Sequence, residues 1–206
     1  MRALRSCHRL LPLAVFVLAA CGGSVPQTGY YQLTESVPRA EQRAGGVLVV
    51  EALRADAAYD DDRIVYRSGE FRLDYYHYHR WSASSGSLVA DFLRRGYEAQ
   101  GLFRAVTDAI GGEGGVVLSG RVVALERVDG PEDEHKARVA LALRLRSALT
   151  GDLLWTKTVR VEQAVEGHSV EALAKALSSS LSQIVSETGP VLADVARKAR
   201  AKGGLN

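Results

Sequence analysis

Apolar and polar positions fall into separate stretches along the chain, and their spacing predicts the elements. Tyr30-Tyr31-Gln32-Leu33 reads as a short first strand, followed by a polar loop over 38–46. Residues 47–53 are rich in valine and predict a buried strand. After the Asp60-Asp61-Asp62 turn, residues 64–67 and 71–81 read as two strands joined at Ser68-Gly69. Leu88, Val89, Phe92, Leu93 and Tyr97 recur at helical spacing, which predicts a helix over 87–100 that stops at Gly101. A glycine loop over 111–115 leads into a long strand at 116–128 and a polar turn at 129–135.

Val139, Leu141, Leu143 and Leu145 then alternate with Arg138, Ala140, Ala142, Arg144 and Arg146. That is a strand with one apolar face, and it places Leu143 in the core. A turn at Thr150-Gly151-Asp152 leads to a strand with Leu153, Trp155, Lys157, Val159 and Val161 on one side. The three strands predict an antiparallel meander. Ser169 is placed to cap a last helix, whose stripe is Val170, Leu173, Leu177, Leu181, Ile184 and Val185. Gly189-Pro190 predicts a kink or break there, with a second helical piece over 191–198. The order strands, helix, strands, helix predicts a single α/β domain. It is a two-layer sandwich of a mixed or antiparallel sheet with both helices on one face.

The N-terminus follows a different pattern. Arg2, Arg5, His8 and Arg9 precede an uncharged apolar run over 10–20. A run of that length is short of the roughly twenty residues that span a bilayer, and it fits the apolar region of a secretion signal. Leu18-Ala19-Ala20-Cys21 resembles a bacterial lipobox, in which the cysteine thiol takes a diacylglycerol and the chain is cut before it. The expected organisation is a signal peptide over 1–20, a lipid-anchored tether over 21–29, a body over 30–200 and a tail over 201–206. The tether residues 22–29 reach at most about 29 Å. Acyl chains on Cys21 exceed the two signals that stable anchoring requires. Gly22, after the cysteine, leans toward the outer membrane.

Composition narrows the function. The chain has 206 residues, 47% hydrophobic and 24% charged, the balance of a globular protein. Its net charge of +2 gives no basic excess for a nucleic acid. Removing Arg2, Arg5 and Arg9 from 26 basic residues leaves one fewer than the 24 acidic ones. Of the two cysteines, Cys7 leaves with the signal and Cys21 carries lipid, so no intrachain disulfide forms.

Ile64-Val65-Tyr66-Arg67, Leu73, Tyr75-Tyr76, Tyr78 and Arg80-Trp81, with the lipobox, the start at residue 30, the 150–155 turn and the final helix, resemble the ABC-type transport auxiliary lipoprotein family. The paraquat-inducible (Pqi) operon's lipoprotein is one of its members. The resemblance implies a fold like the N-terminal domain of TolB. It also implies a role in moving lipid between two membranes beside a mammalian-cell-entry (MCE) domain protein of an ABC transporter. No cofactor is implied beyond the covalent lipid (palmitate among its fatty acids), and self-association is left open.

Candidate chemistry is sparse. His77 and His79 alternate on one strand, but catalytic zinc takes three protein ligands, and His135 and His168 are distant in sequence. Asp60-Asp61-Asp62 lacks calcium-loop spacing, and Glu132-Asp133-Glu134 lies in a turn. The 111–115 glycines carry no lysine for a phosphate, and Ser178-Ser179-Ser180 sits mid-helix without a nucleophile elbow. The densest feature is the aromatic strand. Strict alternation puts Phe71, Leu73, Tyr75, His77, His79 and Trp81 on an inner face, with Arg72, Asp74, Tyr76, Tyr78 and Arg80 on an outer one. Tyrosine and arginine are interface anchors, so Tyr76, Tyr78 and Arg80 are the expected partner-binding residues. The leading reading is a docking module without enzymatic activity. A lipid-tethered envelope enzyme and a carrier holding lipid in its own pocket are the alternatives.

Overall fold

The computed structural model describes residues 26–40, 46–109 and 115–203. The expected signal peptide, Cys21, the start of the tether, residues 41–45, residues 111–114 of the glycine loop and the last three residues lie outside the described residues. The fold is α/β, with one nine-stranded mixed sheet and two long helices.

Strand β7 (Val116–Asp129) is the axis of the sheet. On one side it pairs antiparallel with β8 (His135–Ser147), which pairs antiparallel with β9 (Leu153–Ala164), the expected meander. Its other side is shared along its length by three parallel partners: β2 (Val47–Val50), β3 (Arg54–Ala55) and β4 (Arg63–Ser68). Beyond β4 lie β5 (Leu73–Trp81), antiparallel to it, and β1 (Gly29–Tyr31), parallel to β5. The short β6 (Ala105–Thr107) runs parallel to β2. β6 and β3 carry no sequence pattern of their own, and β2 ends before the expected 53 because the chain steps over to β3.

One face of the sheet is buried under both helices. Registers such as Val122–Leu141–Val159 and Leu118–Leu145–Trp155 align the apolar positions of the meander on that face. Leu141, Leu143 and Leu145 are fully buried there. Helix α1 (Ser85–Gln100) adds Val89, Phe92, Leu93 and Tyr97. Its start is set by Ser84, whose hydroxyl accepts from the Ser87 N–H, and its end by Gly101 in the left-handed region at φ 74°. Helix α2 (Val170–Gly203) adds Leu173, Leu177, Leu181, Ile184, Val185 and Leu192.

The break expected at Gly189-Pro190 is absent, and α2 continues as one helix into the stretch read as a tail. Two observations account for this. Gly189 has no Cβ to clash with the proline ring, which relaxes the usual restriction on the residue before proline. Leu192, Ala193 and Ala196 beyond it are buried, so packing offsets the hydrogen bond that Pro190 cannot make. Gly189 also has a second role, since a Cβ there would come within 1.9 Å of Gln100 Oε1 at the end of α1.

Candidate interaction surface

The aromatic strand does not keep strict alternation. Opposite Arg63 and Val65 of β4, β5 sets Arg80 and Tyr75, so the one residue between them on β4 faces four on β5. The extra residues bulge out of the ladder and turn the side chains between them. Tyr75, expected on the inner face, lies on the open one in register with Val65 and Glu126, with the Arg63 guanidinium 3.7 Å above its ring. Tyr76 turns to the helix side. There its ring meets Tyr66 at 5.3 Å and His79 at 5.8 Å, and Arg127 lies 5.2 Å from its centroid. Burial of the Tyr76 hydroxyl raises its pKa. Arg80 points away from His79 and Trp81 and donates to Asp62 at 2.7 Å. Tyr78 remains 45% exposed. The expected common face of Tyr76, Tyr78 and Arg80 is therefore corrected: Tyr76 is packed, Arg80 is ion-paired, and Tyr78 is the one of the three presented to solvent as a large apolar surface.

The inner-face expectation changes for the same reason. Phe71 precedes β5 and is 93% exposed, while Trp81 is fully buried. His77 is exposed, with its ring against Tyr78, and His79 Nδ1 is held 2.8 Å from the Tyr31 hydroxyl, so neither is poised as a metal ligand. Tyr30, in register with Arg80, is 67% exposed. β1 covers only residues 79–81 of β5, so the rest of β5 is itself the edge of the sheet. Exposed aromatics at Tyr30, Phe71 and Tyr78 thus gather along the β1–β5 margin, and two of the three are residues that alternation alone did not select.

The chain enters the body beside this margin, through residues with no obvious pattern in the sequence. Segment 32–36 lies between the two helices. Leu33 is buried, and Arg95 of α1 donates to the Leu33 carbonyl at 3.2 Å and to Glu35 at 2.9 Å. On the α2 side, the Thr34 N–H donates to Ser178 Oγ and the Ser36 N–H to Ser182 Oγ, both at 3.1 Å. Ser178 and Ser182 are one helical turn apart, which matches two residues of extended chain. Burial pushes the Glu35 carboxyl up, but its hydrogen bond and charge pairing with Arg95 outweigh this and hold it below its ordinary value. An open groove of about 580 Å³ runs between this segment and α2, lined by Tyr31, Thr34, Glu171, Lys175, Ser178 and Ser182 among others. Its walls are largely hydroxyl-bearing and charged.

The open face of the sheet is polar. Its centre is Glu126, 1% exposed, which accepts from the Tyr59 hydroxyl at 2.8 Å, from Arg138 at 2.9 Å and from Arg67 at 3.2 Å. Burial, then the Glu126 carboxylate, pushes the Tyr59 hydroxyl up to about 12. The acidic runs singled out by the sequence are turns here. Asp61 and Asp62 pair with Arg63 and Arg80, and Glu132 lies in a short 3-10 turn at φ 55°. Among the described residues no three His, Cys, Asp or Glu side chains gather as a metal cluster, and no helix is long and apolar enough to cross a membrane.

The family model for the ABC-type transport auxiliary lipoprotein component matches residues 31–188, most of the chain. The chain belongs to that family. It is accordingly related to envelope-associated lipoproteins that serve ABC-type transport. The fold is similar to the crystal structure of protein XCC0632 from Xanthomonas campestris, of family DUF330. That likeness has a TM-score of 0.73 and 20% identity over 84% of this chain and 99% of the other. A second crystal structure, of an uncharacterized protein, matches with a TM-score of 0.67 and 13% identity over 80% of this chain and 98% of the other. No curated protein matches the chain. Within this auxiliary lipoprotein, the matched span begins at Tyr31, where the entering segment meets β1, and ends at Thr188, whose hydroxyl lies 2.8 Å from that of Tyr97.

Proposed function

We propose that this auxiliary lipoprotein is the docking component of an intermembrane lipid transporter. In this reading it is held in the envelope by lipid on Cys21, faces the periplasm from the outer membrane, and contacts an MCE-domain protein that works with an inner-membrane ABC transporter. The family supports the transport role. The observation that carries docking is the β1–β5 margin, where Tyr30, Phe71 and Tyr78 are exposed beside an incompletely paired strand edge. Large aromatic side chains anchor interfaces at small entropic cost. An open strand edge adds backbone donors and acceptors that a partner strand can pair. The carrier alternative has less support, because the groove beside α2 is open rather than enclosed, while the long apolar stripes pack against one another.

The test is calorimetry between the full chain and an MCE-domain protein encoded beside it. Phe71→Ala with Tyr78→Ala should weaken binding by about 2 kcal/mol or more, the loss typical of hot-spot aromatics. Both residues are exposed, so each substitution should leave the unfolding free energy within about 0.5 kcal/mol. Arg80→Ala breaks the pair with Asp62 and should have the smaller effect on binding. Unchanged affinity in the double variant would remove this margin from the interface.

A further inference from the structure

The hairpin that joins β8 to β9 lies on the other side of β7 from the aromatic margin, and a bulge reshapes its open face. Leu145 is in register with Trp155, but the adjacent Arg146 is in register with Leu153, so Leu154 is an extra residue on β9. Such a bulge turns the side chain beyond it to the other face. Leu153, expected on the same side as Trp155, therefore stands on the open face opposite Arg146 and is 62% exposed. Leu149 in the adjoining turn is 79% exposed. On the same face, the register Ser119–Arg144–Thr156 crosses β7, β8 and β9. Ser119, Arg144, Arg146, Gly151, Leu153 and Thr156 line an open groove of about 630 Å³.

The charge in this groove is of one sign. Its lining holds two guanidinium groups and no carboxylate. Around it, Arg121 pairs with Asp56, Arg138 with Glu126 and Glu162, Arg160 with Glu162, and Arg146 with Glu51. Arg144 is exposed and has no such partner among the described residues. Asp152, in the turn, accepts from the Thr150 hydroxyl at 2.7 Å and is not part of the lining. The Thr156 hydroxyl donates to the Leu143 carbonyl at 3.1 Å, which leaves Ser119 as the hydroxyl donor in the row with Arg144. A guanidinium presents a planar fork of N–H donors that matches the oxygens of a phosphate. Exposed leucines beside that fork suit the apolar part of an amphiphile rather than a bare ion. We propose that Arg144, with Arg146, Ser119 and Leu153, binds the phosphate head of an anionic phospholipid and sets the first methylenes of that lipid against Leu153. The groove is open, so it takes a head group without enclosing acyl chains. The choice of a lipid rests on the lipid-transport reading, whereas the anion chemistry rests on the groove alone.

The experiment is a calorimetric titration of the full chain with dihexanoylphosphatidylglycerol below its micelle concentration, beside inorganic phosphate and dihexanoylphosphatidylcholine. The wild type should bind the phosphatidylglycerol in preference to both. Arg144→Gln should weaken that binding about tenfold or more, the loss expected for a charge-assisted fork on phosphate. Arg160→Gln, on the same face but committed to Glu162, should not weaken it. Leu153→Ser should weaken the lipid and leave phosphate unchanged. Arg144 and Leu153 are both exposed, so the melting midpoints of their variants should stay at the wild-type value. Phosphate binding as tight as the lipid's, with no effect of Leu153→Ser, would overturn the lipid and assign the groove to free phosphate. Equal lipid affinity in the wild type and Arg144→Gln, or no binding by the wild type, would overturn the site. The two readings fail separately: Arg144→Gln should keep the affinity for the MCE-domain protein, and Phe71→Ala with Tyr78→Ala should keep the affinity for the lipid.

Discussion

Leu143 sits across the sheet from Gly120, and the two sizes are matched. A Cβ on Gly120 would lie 3.1 Å from Leu143 Cδ2 and 2.6 Å from the Ala142 carbonyl, so the glycine leaves the space that the leucine fills. Leu143 has no exposed surface, and Leu143→Ala should cost about 2–5 kcal/mol in denaturant unfolding, through lost transfer energy and the cavity left behind. A loss below about 1 kcal/mol would mean that the neighbouring chains collapse into the space. The alternation of β8 makes this residue legible in the sequence, because the extra residues at its two register shifts fall on β7 and β9 and leave β8 itself regular. Tyr76 follows the same rule in the sequence and departs from it in the fold, because the bulge in β5 lies between it and Arg80. Alternation reports the face of a residue only where no bulge falls within its own strand.

Two elements show how the fold spends polar residues. Helix α2 uses Ser178 and Ser182 as paired acceptors that hold segment 32–36, and Arg95 of α1 closes the other side through Glu35. Because the Glu35 carboxyl is held below its ordinary 4.5, the pairing contributes stability that is fully present above that value and is lost as pH falls through the lowered one. Amide exchange should therefore show protection of Thr34 and Ser36 at neutral pH and its loss on acidification below the ordinary carboxylate range. Arg95→Ala should reduce that protection at neutral pH and flatten the acid step. Protection that ignores both pH and Arg95 would assign the hold on this segment to the serines and Leu33 alone. The run Ser178-Ser179-Ser180 is visible in the sequence, but the use of Ser178 is not, since its partner is the Thr34 N–H, more than a hundred residues earlier.

At the scale of the whole molecule, the body has one covered sheet face, one open polar face and an aromatic margin where the chain enters. That route ties the body to the lipobox-like Leu18-Ala19-Ala20-Cys21. If Cys21 carries the lipid, Cys21→Ser should abolish fatty-acid labelling and leave the protein unprocessed or out of the membrane fraction, without changing its melting midpoint. Wild-type protein that takes up no label would sink the anchor. With lipid on Cys21, a tether whose residues 22–29 reach at most about 29 Å would keep the aromatic margin near the membrane, and a docking partner would have to approach the membrane to meet it.

Periodicity alone determined the helix stripes, the meander of β7, β8 and β9 and the identity of most of the core, because burial of an apolar face is a local pattern written at spacings of two or 3.6. The N-terminal pattern and the aromatic strand were likewise enough to point to the family. Only the tertiary structure decided the rest, in each case through a contact distant along the chain. The partner strand set the bulge in β5 and so parted Tyr76 from Arg80. Packing against α1 and the sheet carried α2 on past Pro190 as one helix. β3 and β6 exist because β7 and β2 offer them a ladder, not because their own residues favour strand. The antiparallel return of β9 brought His168 Nδ1 to 3.2 Å from His135 Nε2, which no spacing rule could foresee. Sequence separation hides such contacts because their free energy belongs to two segments at once, and neither segment carries a pattern for the other.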